Sequence, residues 1–290
     1  MLKRRRKRKG SFTKKLTLLA LIFGAIYGLA EHYYPEQVDE FRARFEWLIN
    51  PYYGLGASIP SEIEDADLLP VSAKRVQVLK NIGYVSGFSN LYAVPLWVGY
   101  VVKYPFKYDV AARLPAFEKD MRAYGSAEHK DYSNSGFDRG HMAPNYAIGR
   151  TYGQTAQMET FYMTNIVPQK SEAGGGIWKR LESHIANKLS KKYGKVLVFA
   201  GPVLREPIRK LKGKVAIPEA FYAVIMVKSK TDKAYAIGFI VPQTPESKSI
   251  WDYCVPIDEI EAKTGIDFFK NLPDDAEEKL ESNTEYGPFI

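Results

Sequence analysis

The sequence predicts an α+β domain on a mostly antiparallel sheet, running from about residue 70 to the end of the chain. Three observations predict it. The apolar runs VLVFAG (196–201), FYAVIMVK (221–228) and AYAIGFIVP (234–242) read as continuous strands of the buried-sheet type. Trp178, Leu181, Ile185 and Leu189 fall at helical spacing and place a helix over 177–192. No internal repeat divides the chain, so these elements belong to one domain.

In chain order, strand signals begin near Val76. Residues 76–79, 82–85 and 91–102 are rich in Val, Ile, Tyr and Trp, and the proline within LYAVPLWVGYVV points to an edge or a bulge. Residues 117–124 read as a short helix and residues 160–167 as a strand. After the three continuous strands, Pro256 to Lys263 reads as a helix ended by Thr264-Gly265. Residues 35–74 read as a linker, carrying a short amphipathic piece (Val38, Phe41, Phe45, Leu48) and then Pro51, Gly54, Gly56 and Pro60.

Composition limits the chemistry. The chain has 290 residues, one cysteine and four histidines, which excludes a disulfide framework and zinc sites built from several cysteines. A hard, oxygen-ligated cation is what remains as a metal. The net charge of +8 is concentrated at one end: residues 1–15 hold nine Lys/Arg and no acid, leaving the rest of the chain at −1. The surplus is therefore no argument that the folded body seeks nucleic acid.

The basic tip precedes Leu16 to Ala30, fifteen residues without a charge. A positive start followed by an apolar stretch is the pattern of a signal anchor or signal peptide, here at the short end for a span, with Tyr33 and Tyr34 as interfacial anchors. A retained anchor over 16–34 is the favoured reading, and cleavage after Gly28-Leu29-Ala30 is the alternative. By the positive-inside rule, residues 1–15 stay in the cytoplasm and the rest is exported, to a periplasmic, extracellular or intermembrane space.

Residues 136–145 read GFDRGHMAPN and put Asp138, Arg139 and His141 within four positions. Arginine offers fixed, always-charged donors that suit a phosphate, histidine can accept a proton from water near neutral pH, and aspartate can orient either. On its own such a cluster in a turn is more often a structural salt bridge than a catalytic site. His184, His129 and His32 read as a structural or surface, a solvated loop and a membrane-edge histidine. Residues 169–214 carry twelve Lys/Arg against three acids, and residues 258–285 three against ten, so a near-neutral domain can still present a basic face.

The order DRGH, then TNIVPQ (164–169), then W-x-x-L-E (178–182) resembles the DNA/RNA non-specific endonuclease family, the ββα-metal (His-Me finger) nucleases of the endonuclease G type. LWVGY (96–100), DYSNS (131–135), VFAGP (198–202), IPEAFY (217–222) and VPIDEIEAKTGIDFF (255–269) extend the similarity over roughly residues 75–285, in colinear order. The resemblance implies a ββα-metal core with flanking helices over 75–290, and a sequence-nonspecific nuclease acting on DNA, RNA or both. It implies His141 as general base, Arg139 and Arg113 on the scissile phosphate, Asn165 supporting the strand beside the site, and Glu182 holding water around one Mg²⁺ (or Mn²⁺). That cation would neutralise the phosphate and stabilise the leaving 3′ oxygen. A homodimer is a further partner to consider.

One position departs from the family pattern. The asparagine that directly ligates the metal is replaced by Gly174, within Ala173-Gly174-Gly175-Gly176. At helical spacing, positions 174, 178 and 182 share one face. Three readings stay open: a cation held by Glu182, waters and the substrate; substitution by Glu172, Asn145 or Asn165; or a nucleic-acid-binding domain that cleaves poorly.

Overall fold

In the computed structural model, the residues described are 68–110 and 116–290. The basic tip, the expected anchor 16–34, most of the linker and Arg113 lie outside them. Among the described residues, no helix is long and apolar enough to cross a membrane. The strands are β1 (Val71–Ser72), β2 (Gln77–Lys80), β3 (Tyr84–Ser89), β4 (Val94–Lys103), β5 (Asp138–His141), β6 (Ile166–Gln169), β7 (Lys195–Val203), β8 (Lys210–Leu211), β9 (Val215–Ala216), β10 (Ala220–Lys228), β11 (Ala234–Pro242), β12 (Cys254–Val255) and β13 (Ile266–Asp267). The helices are α1 (Asn145–Tyr152), α2 (Gln154–Glu159), α3 (Ser171–Gly175), α4 (Ile177–His184), α5 (Ile257–Thr264) and α6 (Asp274–Glu281). A π turn at Ile185–Leu189 and a last α turn, Ser190–Tyr193, carry α4 onward.

Seven strands form one antiparallel sheet in the order β12-β11-β10-β7-β4-β3-β2. Its central strands are apolar on both faces because both faces are covered. On β10, Phe221 and Tyr222 point to opposite sides. The Trp178 ring of α4 lies 5.6 Å from Phe221, and the Phe268 ring lies 5.8 Å from Tyr222. Helix α4 therefore packs on one face and the segment from α5 to Phe269 on the other. Each buried aromatic of this kind removes some 150–250 Å² from water, so these stacks dominate the adhesion of the layers.

The helix predicted over 177–192 is found over 177–193, and the three long strands stand where the apolar runs placed them. Pro95 lies in an interior strand, at a bulge: the β3–β4 register slips between Gly87 and Phe88, and pairing of β4 with β7 begins only at Val98. Two local readings are corrected. Residues 117–124 form turns, not a helix, because Asp120 and Arg122 bind one another and reach out to Thr164 and Asn81. Residues 160–165 form a turn and a short 3-10 helix, Met163–Asn165, and the strand starts at Ile166. The end of the predicted linker is part of the domain, since Leu68 is buried in the core and β1 pairs with β13.

Candidate active site

The DRGH motif is strand β5, paired antiparallel with β6 so that Asp138 faces Gln169, Arg139 faces Pro168, Gly140 faces Val167 and His141 faces Ile166. Helices α3 and α4 follow directly, giving a strand–strand–helix unit. Side chains alternate along a strand, so Arg139 and His141 share one face, and Asp138 and Gly140 take the other.

His141 is half-buried in an aromatic pocket. The Phe161 ring meets it edge-on at 5.1 Å, and Phe117 lies 5.3 Å away. The Arg139 guanidinium is held 5.9 Å from Phe117 and 5.5 Å from Tyr132, and its Nη2 donates to the His129 carbonyl at 2.6 Å. Its Nε is buried without a hydrogen-bond partner. Burying such a donor is costly, and an anion reaching it would relieve that cost. His129 itself is exposed, as its sequence context predicts.

Asn165 is fully buried, and every polar atom of its side chain is used. Its Oδ1 accepts from Ala143 N at 2.8 Å, while Nδ2 donates to Ala143 O at 3.0 Å and Thr160 O at 2.9 Å. It clamps the chain two residues after His141 and takes no part as a ligand. Asp138 accepts from Ser171 Oγ at 2.7 Å and so ties β5 to the first turn of α3. That contact, on the face away from His141, replaces the orienting role read from the sequence.

Glu182, on α4, lines a cavity of about 330 Å³ with Pro144, Tyr146, Ala147 and Lys179. One wall thus begins three residues after His141. Burial pushes the Glu182 carboxyl up to about 8, against the opposing pull of the Trp178 indole and the Lys179 ammonium. A carboxylate in this setting gains from a nearby cation.

Gly174 does not share a continuous helix face with Trp178 and Glu182. The backbone breaks at Gly176 (φ −103°, ψ −114°), where a β-carbon would come within 2.4 Å of the Glu172 carbonyl oxygen. Above Gly174 lies the Gln169 side chain, which also covers Gly140. Of the substitute ligands considered, Asn165 is spent on backbone. Asn145 accepts from Gln157 Nε2 at 3.2 Å and lies 3.4 Å from Thr160 Oγ1, and Glu172 is exposed. Among these groups Glu182 is the carboxylate that could hold a hard cation keeping most of its waters, since position 174 offers no side chain.

Sequence reasoning missed Gln169, Ser171 and the aromatic pocket of Phe117, Tyr132 and Phe161. Gln169 and Phe161 sit inside a quoted motif, but only the fold shows what they touch. The basic stretch 169–214 is partly spent internally: Lys210, Lys212 and Lys214 donate to the carbonyls of Leu91, Lys130 and Ser126. His184 is structural, with Nε2 2.7 Å from Phe289 O.

The sequence profile of the DNA/RNA non-specific endonuclease family matches residues 69–275. The chain belongs to that family. It is 37% identical over 166 residues to the mitochondrial nuclease EXOG of Xenopus laevis, covering 52% of this chain and 45% of that protein. It is 30% identical over 169 residues to the mitochondrial endonuclease G of Bos taurus, covering 53% and 55%. Nuclease C1 of Cunninghamella echinulata var. echinulata is 38% identical over 159 residues, covering 49% and 60%. The chain thus spans about half the length of these relatives. The crystal structure of the EndoG/EndoGI complex superposes with a TM-score of 0.64 at 26% identity, covering 73% of this chain and 92% of that one.

Proposed function

We propose that residues 75–290 form a metal-assisted, sequence-nonspecific endonuclease that hydrolyses phosphodiester bonds of DNA, RNA or both. One observation carries the reading: Arg139 and His141 stand side by side on one face of the β5–β6 pair, and the lining of the Glu182 cavity begins three residues further along the chain. In this reading His141 takes a proton from the attacking water, and Arg139 holds the scissile phosphate and its developing charge. Phe117 and Phe161 fix the imidazole plane, and the Asn165 clamp fixes the backbone that carries it. A divalent cation at Glu182, Mg²⁺ or Mn²⁺, would supply the positive charge that neutralises the phosphate and helps the 3′ oxygen leave. Contact would be mainly to phosphates, hence sensitive to salt and indifferent to sequence.

Plasmid nicking with Mg²⁺ and with EDTA tests this. Wild type should cut with Mg²⁺ alone, and His141→Ala should lose activity by about 10²–10⁴-fold, the usual share of general acid–base catalysis. A second reading, a nucleic-acid-binding domain that cleaves poorly, is favoured by Gly174, which offers no ligand. It wins if wild type retards DNA at low salt but leaves it intact with Mg²⁺.

The basic tip and the apolar stretch 16–30 support a domain on the non-cytoplasmic side of a membrane, anchored or secreted. Membrane fractionation with protease protection of residues 75–290 tests that.

A further inference from the structure

We propose that Asp258, Glu261 and Glu281 form a cation site, calcium by preference, that fastens the C-terminal helix to the rest of the domain. Asp258 and Glu261 lie one turn apart on α5, and Glu281 is the last residue of α6. One oxygen of each lies within 4.8 Å of the others. Their burial is graded: Asp258 is exposed, Glu261 half-buried and Glu281 only 6% exposed. An ion can therefore enter from the Asp258 side and keep water there.

Glu281 makes this more than an acidic patch. Its Oε1 is buried without a hydrogen-bond partner, and one oxygen of the same carboxylate closes the cluster. Leaving a carboxylate oxygen unsatisfied is expensive unless a cation or a proton compensates. Among the described residues no lysine pairs with it: Lys263 pairs with Glu259 and Lys270 with Asp267. Glu277 and Asp267 add to the negative field, and burial with this crowding pushes Glu281 up to about 8. Glu261 spends Oε1 on Phe268 N at 2.6 Å, which ties the site to the aromatic core; the carboxylate keeps other lone pairs to offer.

Three carboxylates from two helices form an all-oxygen set, and calcium, with its flexible coordination, suits such a set better than the more demanding magnesium. The site is separate from Glu182. Ile260 of α5 packs over Gly238, which pairs with Val224 on the Tyr222 face of β10, whereas α4 packs on the Phe221 face. Glu281 also lies beyond the residues matched by the family, 69–275.

The test is a thermal melt and calorimetric titration of the full chain, stripped with EDTA, in the presence of CaCl₂, MgCl₂ or neither. Calcium at a hundredfold excess over its dissociation constant should raise the midpoint by about 5–10 °C. Glu182→Gln should retain that shift, while Asp258→Asn and Glu281→Gln should lose it. Because Asp258 is exposed, its variant reports on the site even if the Glu281 variant folds poorly. The proposal is overturned by no calcium response up to about 10 mM, roughly tenfold above the weakest dissociation constants of known modules. A shift unchanged in Asp258→Asn, one lost in Glu182→Gln, or a response to magnesium alone would overturn it equally.

Discussion

The carboxamide of Gln169 lies over the Cα of Gly174, with Oε1 2.7 Å and Cδ 3.0 Å from where a β-carbon on that glycine would stand. The obstacle is the far end of a flexible side chain, and its Nε2 is buried without a partner. Gln169 can therefore swing aside at little cost. Gly174→Asn is expected to fold and to raise Mg²⁺-dependent cleavage roughly tenfold or more, in line with the effect of completing a metal site. Cleavage rate against Mg²⁺ concentration measures it. An unchanged rate and midpoint would mean that position 174 does not address the cation.

Asn165 and Ala143 are locked by two hydrogen bonds, with a third to Thr160. Asn165→Ala leaves a buried N–H and two buried carbonyls without their partner. At about 1–3 kcal/mol for each unsatisfied group, the domain should lose at least about 3 kcal/mol, read from urea unfolding. A loss under about 1 kcal/mol would show that the clamp matters little to the fold.

The legible parts of this fold are those set by local pattern. Strands β7, β10 and β11 announce themselves because Phe221 and Tyr222 must both be covered, which forces apolar residues at every position. The 177–193 helix shows through Trp178, Leu181, Ile185 and Leu189, although its π turn leaves no trace in that spacing. Residues 117–124 mislead because the Asp120–Arg122 pair is completed by Asn81 and Thr164, about 40 residues away on either side. Residues 160–165 mislead for the same reason, since Asn165 binds back across 22 residues to Ala143. At the site, Arg139, His141 and Glu182 stand out in the sequence as chemical groups. What Asp138 binds does not, because Ser171 is brought to it only once β5 pairs with β6.

His184 should make the domain acid-sensitive. Its Nε2 meets the Phe289 carbonyl at 2.7 Å, and Trp251 lies edge-on at 5.3 Å. Burial holds its pKa below the ordinary value, with Lys188 and Lys192 adding to the effect and the Phe289 carbonyl opposing it. The folded pKa is depressed, so the contribution is full above the unfolded value of about 6.5 and is lost as pH falls through the folded value. The wild-type thermal midpoint should drop more steeply between pH 7.5 and pH 5 than that of His184→Gln, whose amide can still donate to the carbonyl. Parallel slopes would refute this.

Cys254, the chain's single cysteine, is half-buried on the edge strand β12, opposite Phe239. Burial pushes its thiol up to about 11. The thiolate is the reactive form, and an exposed thiol has a pKa near 8.5. At pH 8 the thiolate fraction is therefore about a hundredfold lower than for a free cysteine, before steric shielding is added. Iodoacetamide labelling, followed by intact-mass spectrometry, should be at least about a hundredfold slower in native protein than in urea, with one adduct at completion. Native labelling as fast as the denatured control would mean that β12 detaches from β11 readily, and that burial does not protect the thiol.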